Sequence, residues 1–274
     1  RWCGLILLTS VENAEPLALM NDGIVQHMRV GADGGIGVKY AAREDAEVVG
    51  MLGSGGMARS HMDAFMHVRK IRKLQVFSPT RANREAFAAE MAAKFGIEAV
   101  ACDAPEKVYR GADILAAVTD ATEPVTDGSL LEPGTHIVVI GGSGKPDARS
   151  IERIDVSLRF GDAPQPWGLP EFGKARSRLT YAAMTEETAK KYMSPDARRG
   201  GRKALAEERV VWLGDIIAGA ARGRTSDGQI TYSERGNLQG NQFHAVAGRA
   251  FELARKAGKG REIPTEWFLQ DIRD

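Results

Sequence analysis

The stretch Gly53-Ser54-Gly55-Gly56-Met57-Ala58 follows a short apolar run, Val48 to Leu52. Its small residues have the Gly-x-Gly-x-x-Ala spacing of a loop that holds a dinucleotide pyrophosphate. Each meets a separate requirement: a tight turn off the strand at Gly53, no Cβ to block the phosphates at Gly55, and close helix-to-sheet packing at Ala58. A helix starting here offers unpaired N–H groups and the positive end of its dipole to phosphate oxygens. Gly53, Ser54, Gly55, Gly56 and Met57 are therefore expected to contact a dinucleotide.

A second stretch, Ser78-Pro79-Thr80-Arg81, follows the apolar run Leu74 to Phe77, with Arg84 a turn later. An acidic residue at such a strand end would bond the adenosine ribose 2′-hydroxyl and repel a 2′-phosphate. Hydroxyls and guanidinium groups stand there instead, and guanidinium forks suit phosphate. NADP(H) is favoured on this ground, with NAD(H) as the alternative, and Ser78, Thr80 and Arg81 join the cofactor-contacting set. Thr119 and Gly141, at the ends of two further apolar runs, complete it.

Other reactive side chains form no recognisable constellation. His61, His67, His136 and His244 lack metal-ligand spacing, and no metal is expected. His136 heads an apolar run and reads as structural, while His61 and His67 are expected on the outer side of the helix after the glycine loop. Asp120, Asp127 and Asp215 read as caps and surface charges. No Gly-x-Ser-x-Gly elbow and no paired Cys and His suggest nucleophilic catalysis. Cys3 and Cys102 are too few for a disulfide framework and fit a reducing cytoplasm.

The elements that must position these residues alternate. Gly4 to Leu8 and Leu17 to Met20 read as a hairpin, and Ile24 to Arg43 as a helix with weak points at Gly34, Gly35 and Gly37. Then come strands at Val48 to Leu52, Leu74 to Phe77, Ala99 to Ala101, Ile114 to Val118 and His136 to Ile140, with helices through Ala64 to Val68 and from Asn83 to Phe95. Short connections between alternating strands and helices imply a doubly wound parallel sheet of Rossmann type. Val210 to Ala218 reads as an amphipathic helix, Ile230 to Tyr232 as a strand, and Phe243 to Ala257 as a final helix. Residues 160–205 carry no clear pattern, and the basic cluster Arg198 to Lys203 reads as a solvated loop.

Lys and Arg total 37 against 36 Asp and Glu in 274 residues, a net charge of +1. No polybasic field exists to bind nucleic acid or anionic lipid. The apolar run Cys3 to Leu8 falls far short of the ~20 residues a membrane span requires. The chain opens at Arg1 on what reads as a strand already under way, so further residues are expected upstream.

Glu15-Pro-Leu-Ala-Leu-Met20, His27-Met-Arg29-Val-Gly-Ala32, Lys39-Tyr-Ala-Ala-Arg43 and the glycine loop together resemble the ornithine cyclodeaminase and mu-crystallin family. Ala112-Asp-Ile114, Pro133-Gly-Thr-His136 and Gly214-Asp-Ile-Ile-Ala-Gly219 extend the resemblance. It implies a Rossmann domain, residues 42–236, joined to a discontinuous substrate and dimerisation domain, residues 1–41 plus 237–274, and a homodimer. It also implies hydride transfer between imines and amines, or cyclisation of ornithine with loss of ammonia. Arg29 matches the family's substrate-carboxylate arginine, and a guanidinium there can clamp a carboxylate in two places. His27, two residues earlier, is a candidate proton donor to an imine-derived nitrogen.

The chain departs from the family after His136 to Ile140, where cyclodeaminases carry an Asp following Gly-Gly. Here the order is Gly141-Gly142-Ser143-Gly144, and a serine cannot serve unaided as an ordinary general base. Ser143 is expected to hydrogen-bond the substrate or the nicotinamide amide, and Asp147 is shifted along the chain. The expected function is NAD(P)H-dependent reduction of a small imino or keto acid. The rivals are a cyclodeaminase using bound NAD, and a non-catalytic NADPH-dependent binder of a small ligand in which Gln242, Phe243, Trp267 and Phe268 form walls.

Overall fold

The computed structural model describes residues 4–121, 124–140, 146–161, 205–234 and 239–268. Two compact units emerge, Arg1–Gln26 with Gly240–Asp274, and His27–Gln239. In the first, β1 (Leu5–Thr9) and β2 (Pro16–Asn21) form the expected antiparallel hairpin, with Leu7 opposite Leu19. The same unit holds the bulk of the last long helix, Gln239–Lys256.

The larger unit is built on a parallel sheet. In chain order its strands are β3 (Val48–Leu52), β4 (Lys73–Phe77), β5 (Glu98–Ala101), β6 (Ile114–Ala117), β7 (His136–Val139), β8 (Val156–Arg159), β9 (Val210–Trp212) and β10 (Thr231–Glu234). They lie in the order β5-β4-β3-β6-β7-β10-β8-β9, every pairing parallel. The order reverses between β3 and β6, and a crevice at such a reversal is where doubly wound sheets bind ligands. β6, β7 and β8 are buried throughout, as strands covered on both faces must be. Alternate residues feed two cores: Ile114 and Ala116 pack with Met62, Phe65 and Phe87, whereas Leu115 and Ala117 pack with Val108, Ile137 and Ile154.

Helix α1 (Gly23–Ala41) runs unbroken through its glycines. Each glycine costs a helix about 1 kcal/mol relative to alanine. Here they are points of close approach: a Cβ on Gly31 would strike the Ser60 backbone, on Gly35 the Ala64 side chain, and on Gly37 the Ser233 hydroxyl. Those contacts bring residues from His27 onward into the sheet-bearing unit.

Two arginines satisfy the carbonyls at the end of α1. Arg69 donates to the carbonyls of Val38, Lys39, Ala42 and Arg43, and Arg224 donates to that of Ala41. Cations at a helix C-terminus also complement its dipole.

One sequence expectation about the elements needs correction. Val210 to Ala218 is not one helix: Val210–Trp212 is edge strand β9, paired to β8, and only Leu213–Ile217 is helical, as α5. Two adjacent valines and a tryptophan favour the strand. Helix α4 (Ala148–Arg153) and strand β8 were not foreseen, since Ser157 and Arg159 break the apolar pattern of a strand that is nevertheless buried.

Candidate cofactor and substrate site

The glycine loop joins β3 to α2 (Gly56–Val68). Gly53 has φ of +117°, and a Cβ there would lie 2.7 Å from the Val118 carbonyl oxygen. Its N–H donates to the Phe77 carbonyl at 2.8 Å, so the turn is stitched to β4 while it presses against the end of β6. A side chain is excluded there on both counts.

Gly55 differs. Its φ of −85° is ordinary, and a Cβ would meet nothing within 4 Å. Helix α2 begins without a side-chain cap and with no acidic residue in its first turn. Open space at Gly55 and an uncapped helix start are what a pyrophosphate requires. The residues present therefore fit the dinucleotide. Met57 is partly buried against the core, and its carbonyl accepts from the Ser60 hydroxyl at 3.0 Å. Thr119, just beyond β6 and beside Gly53, accepts from the Ala121 N–H at 3.2 Å.

The end of β4 gathers hydroxyl and guanidinium groups. Ser54 and Ser78 are joined at 2.9 Å through their hydroxyls. Arg84 lies over the Phe77 ring at 5.5 Å and donates to the Ser78 carbonyl at 2.9 Å. Arg81 opens α3 (Arg81–Phe95) and pairs with Glu85 one turn on at 2.7 Å, an exposed ion pair that raises the Arg81 pKa. Thr80, the N-cap of α3, makes no side-chain capping bond. A third guanidinium was missed in sequence: Arg59 bonds the Ser54 carbonyl at 3.1 Å, pairs with Glu90 and stacks at 5.4 Å on Phe87. A basic residue in the first turn of a helix opposes the dipole, and that was the available signal.

Helix α1 brings the other candidates to the same edge. His27 is exposed, and its Cε1 lies 2.5 Å from where a Cβ on Gly56 would be, beside the start of α2. Arg29 is buried, 4% exposed. Asp33, one turn later, is equally buried. Gly141 and Ser143 lie outside the described residues, as does the basic cluster Arg198 to Lys203.

Asp147 does not stand in for a carboxylate at 143. It caps α4, accepting from the Ser150 N–H at 2.9 Å and the Gly128 N–H at 3.0 Å, and is also bonded by the Ser150 hydroxyl.

The histidines divide by burial. His61 is fully buried, a correction to the expectation that it faces outward. The missing side chain of Gly34 leaves room for its ring, 2.6 Å from that glycine's virtual Cβ, and its Nδ1 reaches the Met57 carbonyl at 2.7 Å. His67 is exposed as expected. His136 is enclosed between Thr231 and Ser233, at 2.8 and 2.9 Å from their hydroxyls. Thr231 already donates to the Ala41 carbonyl at 2.7 Å, so His136 Nδ1–H donates to Thr231 and its Nε2 accepts from Ser233. Burial, followed by the charges of Arg224 and Arg69, pushes the His136 pKa down to about 3. A neutral imidazole with both nitrogens engaged is structural.

Comparison with known proteins identifies the family. The profile of the Ornithine cyclodeaminase/mu-crystallin family matches residues 1–159. A Delta(1)-pyrroline-2-carboxylate reductase of Bacillus cereus is 29% identical over 264 residues, covering 95% of this chain and 74% of the relative. Among solved structures, the Delta(1)-pyrroline-2-carboxylate reductase of Thermococcus litoralis, in complex with NADH and L-proline, is 26% identical at a TM-score of 0.73, covering 94% of this chain and 73% of that one. An archaeal alanine dehydrogenase dimer with bound NAD is likewise 26% identical at a TM-score of 0.72, covering 95% and 73%. With the family profile spanning more than half of its residues, the chain belongs to the ornithine cyclodeaminase/mu-crystallin family.

Proposed function

We propose that this protein is an NAD(P)H-dependent reductase of the C=N bond of a small imino acid. The observation that carries this reading is that one helix, α1, both touches the phosphate loop, through His27 against Gly56, and buries a guanidinium, Arg29, one half-turn further on. A carboxylate anchor then stands next to a dinucleotide held at Gly53 to Met57. When bound, the reduced nicotinamide supplies the hydride, and the chain's own residues bind and orient. Arg29 clamps the substrate carboxylate and so holds the neighbouring carbon in one attitude. Thr119, which lies beside Gly53, is assigned to the nicotinamide together with Gly141, Ser143 is assigned to its amide or to the substrate, and His27 stands beside the start of α2.

NADP(H) is the favoured cofactor. Its support is the end of β4, where the Ser54 and Ser78 hydroxyls meet, Arg84 bonds the Ser78 carbonyl, and Arg81 opens α3 in an exposed pair with Glu85. The homodimer finds support in the hairpin, whose Leu5, Leu7 and Leu19 are exposed on one apolar face, 62%, 60% and 59% respectively. Incubation with NADPH and Delta(1)-pyrroline-2-carboxylate tests the reaction: substrate-dependent loss of reduced-nicotinamide absorbance is expected. Cofactor binding with no oxidation on any imino acid would instead fit the non-catalytic binder, and ammonia release from ornithine with NAD the cyclodeaminase.

A further inference from the structure

Arg29 is accompanied on α1 by a second buried charge. Asp33 follows by one helical turn and is equally closed to solvent, each 4% exposed. Four contacts fix the rotation of α1: His27 at Gly56, Gly31 at Ser60, Gly34 at His61 and Val138, and Gly37 at Ser233. These set α2 along one side of the helix and the C-terminal ends of β7 and β10 along the next. At 3.6 residues per turn, Asp33 is rotated about 40° from Arg29 and about 40° from Gly37. Both charges thus share the flank that leads to the end of β10, at the sheet edge that carries the glycine loop and Thr119.

Buried charges persist when they are compensated. Arg29 and Asp33 together carry no net charge, and neither does an α-imino acid with an ionised carboxylate and a protonated nitrogen. A keto acid is a net anion and would turn a carbonyl oxygen towards the Asp33 carboxylate. Resting on the reductase reading, we propose that Asp33 is the ligand of the substrate nitrogen: its carboxylate accepts a hydrogen bond from the protonated imine while Arg29 holds the substrate carboxylate. The two groups of an α-imino acid sit on adjacent atoms, and side chains one turn apart, with Cβ atoms about 5–6 Å from each other, can converge on such a pair. Asp33 thereby stabilises the iminium, the form that accepts hydride readily, and selects imino over keto acids. In the step itself, hydride from a reduced nicotinamide dinucleotide bonds to the imine carbon and the C=N π pair becomes a lone pair on nitrogen. The nitrogen keeps its proton, the cofactor leaves oxidised, and the amine takes a further proton from water.

The test is calorimetric titration of the NADP⁺-saturated protein with L-proline and with cyclopentanecarboxylate, which keeps the carboxylate and replaces N–H with a methylene. Asp33→Asn and Asp33→Ser are measured beside the unsubstituted protein, with melting temperature and NADP⁺ affinity as controls of integrity. Both variants are expected to lose about tenfold or more in proline affinity, the scale of one hydrogen bond to a charged group, and to keep their cyclopentanecarboxylate affinity. Equal loss of both ligands would make Asp33 a support for Arg29 and overturn the proposal, as would unchanged proline binding. If the unsubstituted protein binds neither ligand, the reductase reading itself falls and this inference with it.

Discussion

The His27 imidazole occupies the space that a side chain on Gly56 would need, with Cε1 2.5 Å from that glycine's virtual Cβ. The pair couples α1 to the first turn of α2, so the two positions should not vary independently. Gly56→Ala alone is expected to cost about 1 kcal/mol, the low end for overpacking because His27 is exposed and can swing aside. In a His27→Ala background the same change should cost almost nothing. Urea denaturation of the four proteins measures the coupling, and strict additivity would show that the contact carries no energy.

Asp113 should matter more to stability than its place on the chain suggests. One of its oxygens accepts from Arg43 at 2.6 Å, and the other accepts from the backbone N–H groups of Glu47 and Val48 at 2.8 and 2.9 Å. It ties the end of α1 to the start of β3 from the head of β6. Asp113→Ala leaves these partly buried donors unpaired, and about 2 kcal/mol of stability is expected to be lost. Chemical denaturation checks this, with Asp45→Ala, an exposed partner of Arg43, as the near-neutral comparison.

Acid should destabilise the fold through His136. Its folded pKa of about 3 lies below the ordinary histidine value near 6.5, so the unfolded chain binds a proton that the native state refuses. The contribution is fully present above pH ~6.5 and declines as pH falls towards 3, by up to ~1.4 kcal/mol per pH unit. Denaturation midpoints between pH 7 and 4 should therefore fall less steeply for His136→Gln than for the unsubstituted protein. Parallel slopes would contradict the buried neutral imidazole.

The cofactor preference predicted from the end of β4 should reside in Arg81 and Arg84. Replacing Arg81 with alanine is expected to weaken NADPH about tenfold and leave NADH nearly unchanged, since only the 2′-phosphate loses a charged partner. Fluorescence titration distinguishes this from an equal effect on both dinucleotides, which would place Arg81 away from the phosphate.

The sequence showed the core of the fold because its signals are local. An apolar run, a glycine turn and a helix at 48–68 occur as read, and so does the helix ending at Phe95, which Gly96 closes with φ of +66°. What it concealed depends on distant partners. His61 is buried because Gly34 on another helix makes room, and the glycines of α1 look like weak points until α2 and β10 are seen against them. The Arg43 and Asp113 stretches carried part of the family resemblance, yet only the structure shows that they meet in an ion pair. Asp33 is silent in the sequence because one acid on a mostly apolar helix reads as a solvated face, and burial alone marks it.

The central claim is that a nicotinamide dinucleotide lies on the glycine loop. Gly55 tests it cleanly, because an added methyl meets open space in the protein at an ordinary φ of −85° and would meet only the pyrophosphate. Titration with NADPH and NADH, followed by nicotinamide fluorescence, should show saturable binding to the unsubstituted protein, tighter for NADPH. Gly55→Ala should melt at the same temperature and lose at least about tenfold in affinity for both. Undiminished binding by that variant, or no binding of either dinucleotide to the unsubstituted protein, would contradict the account.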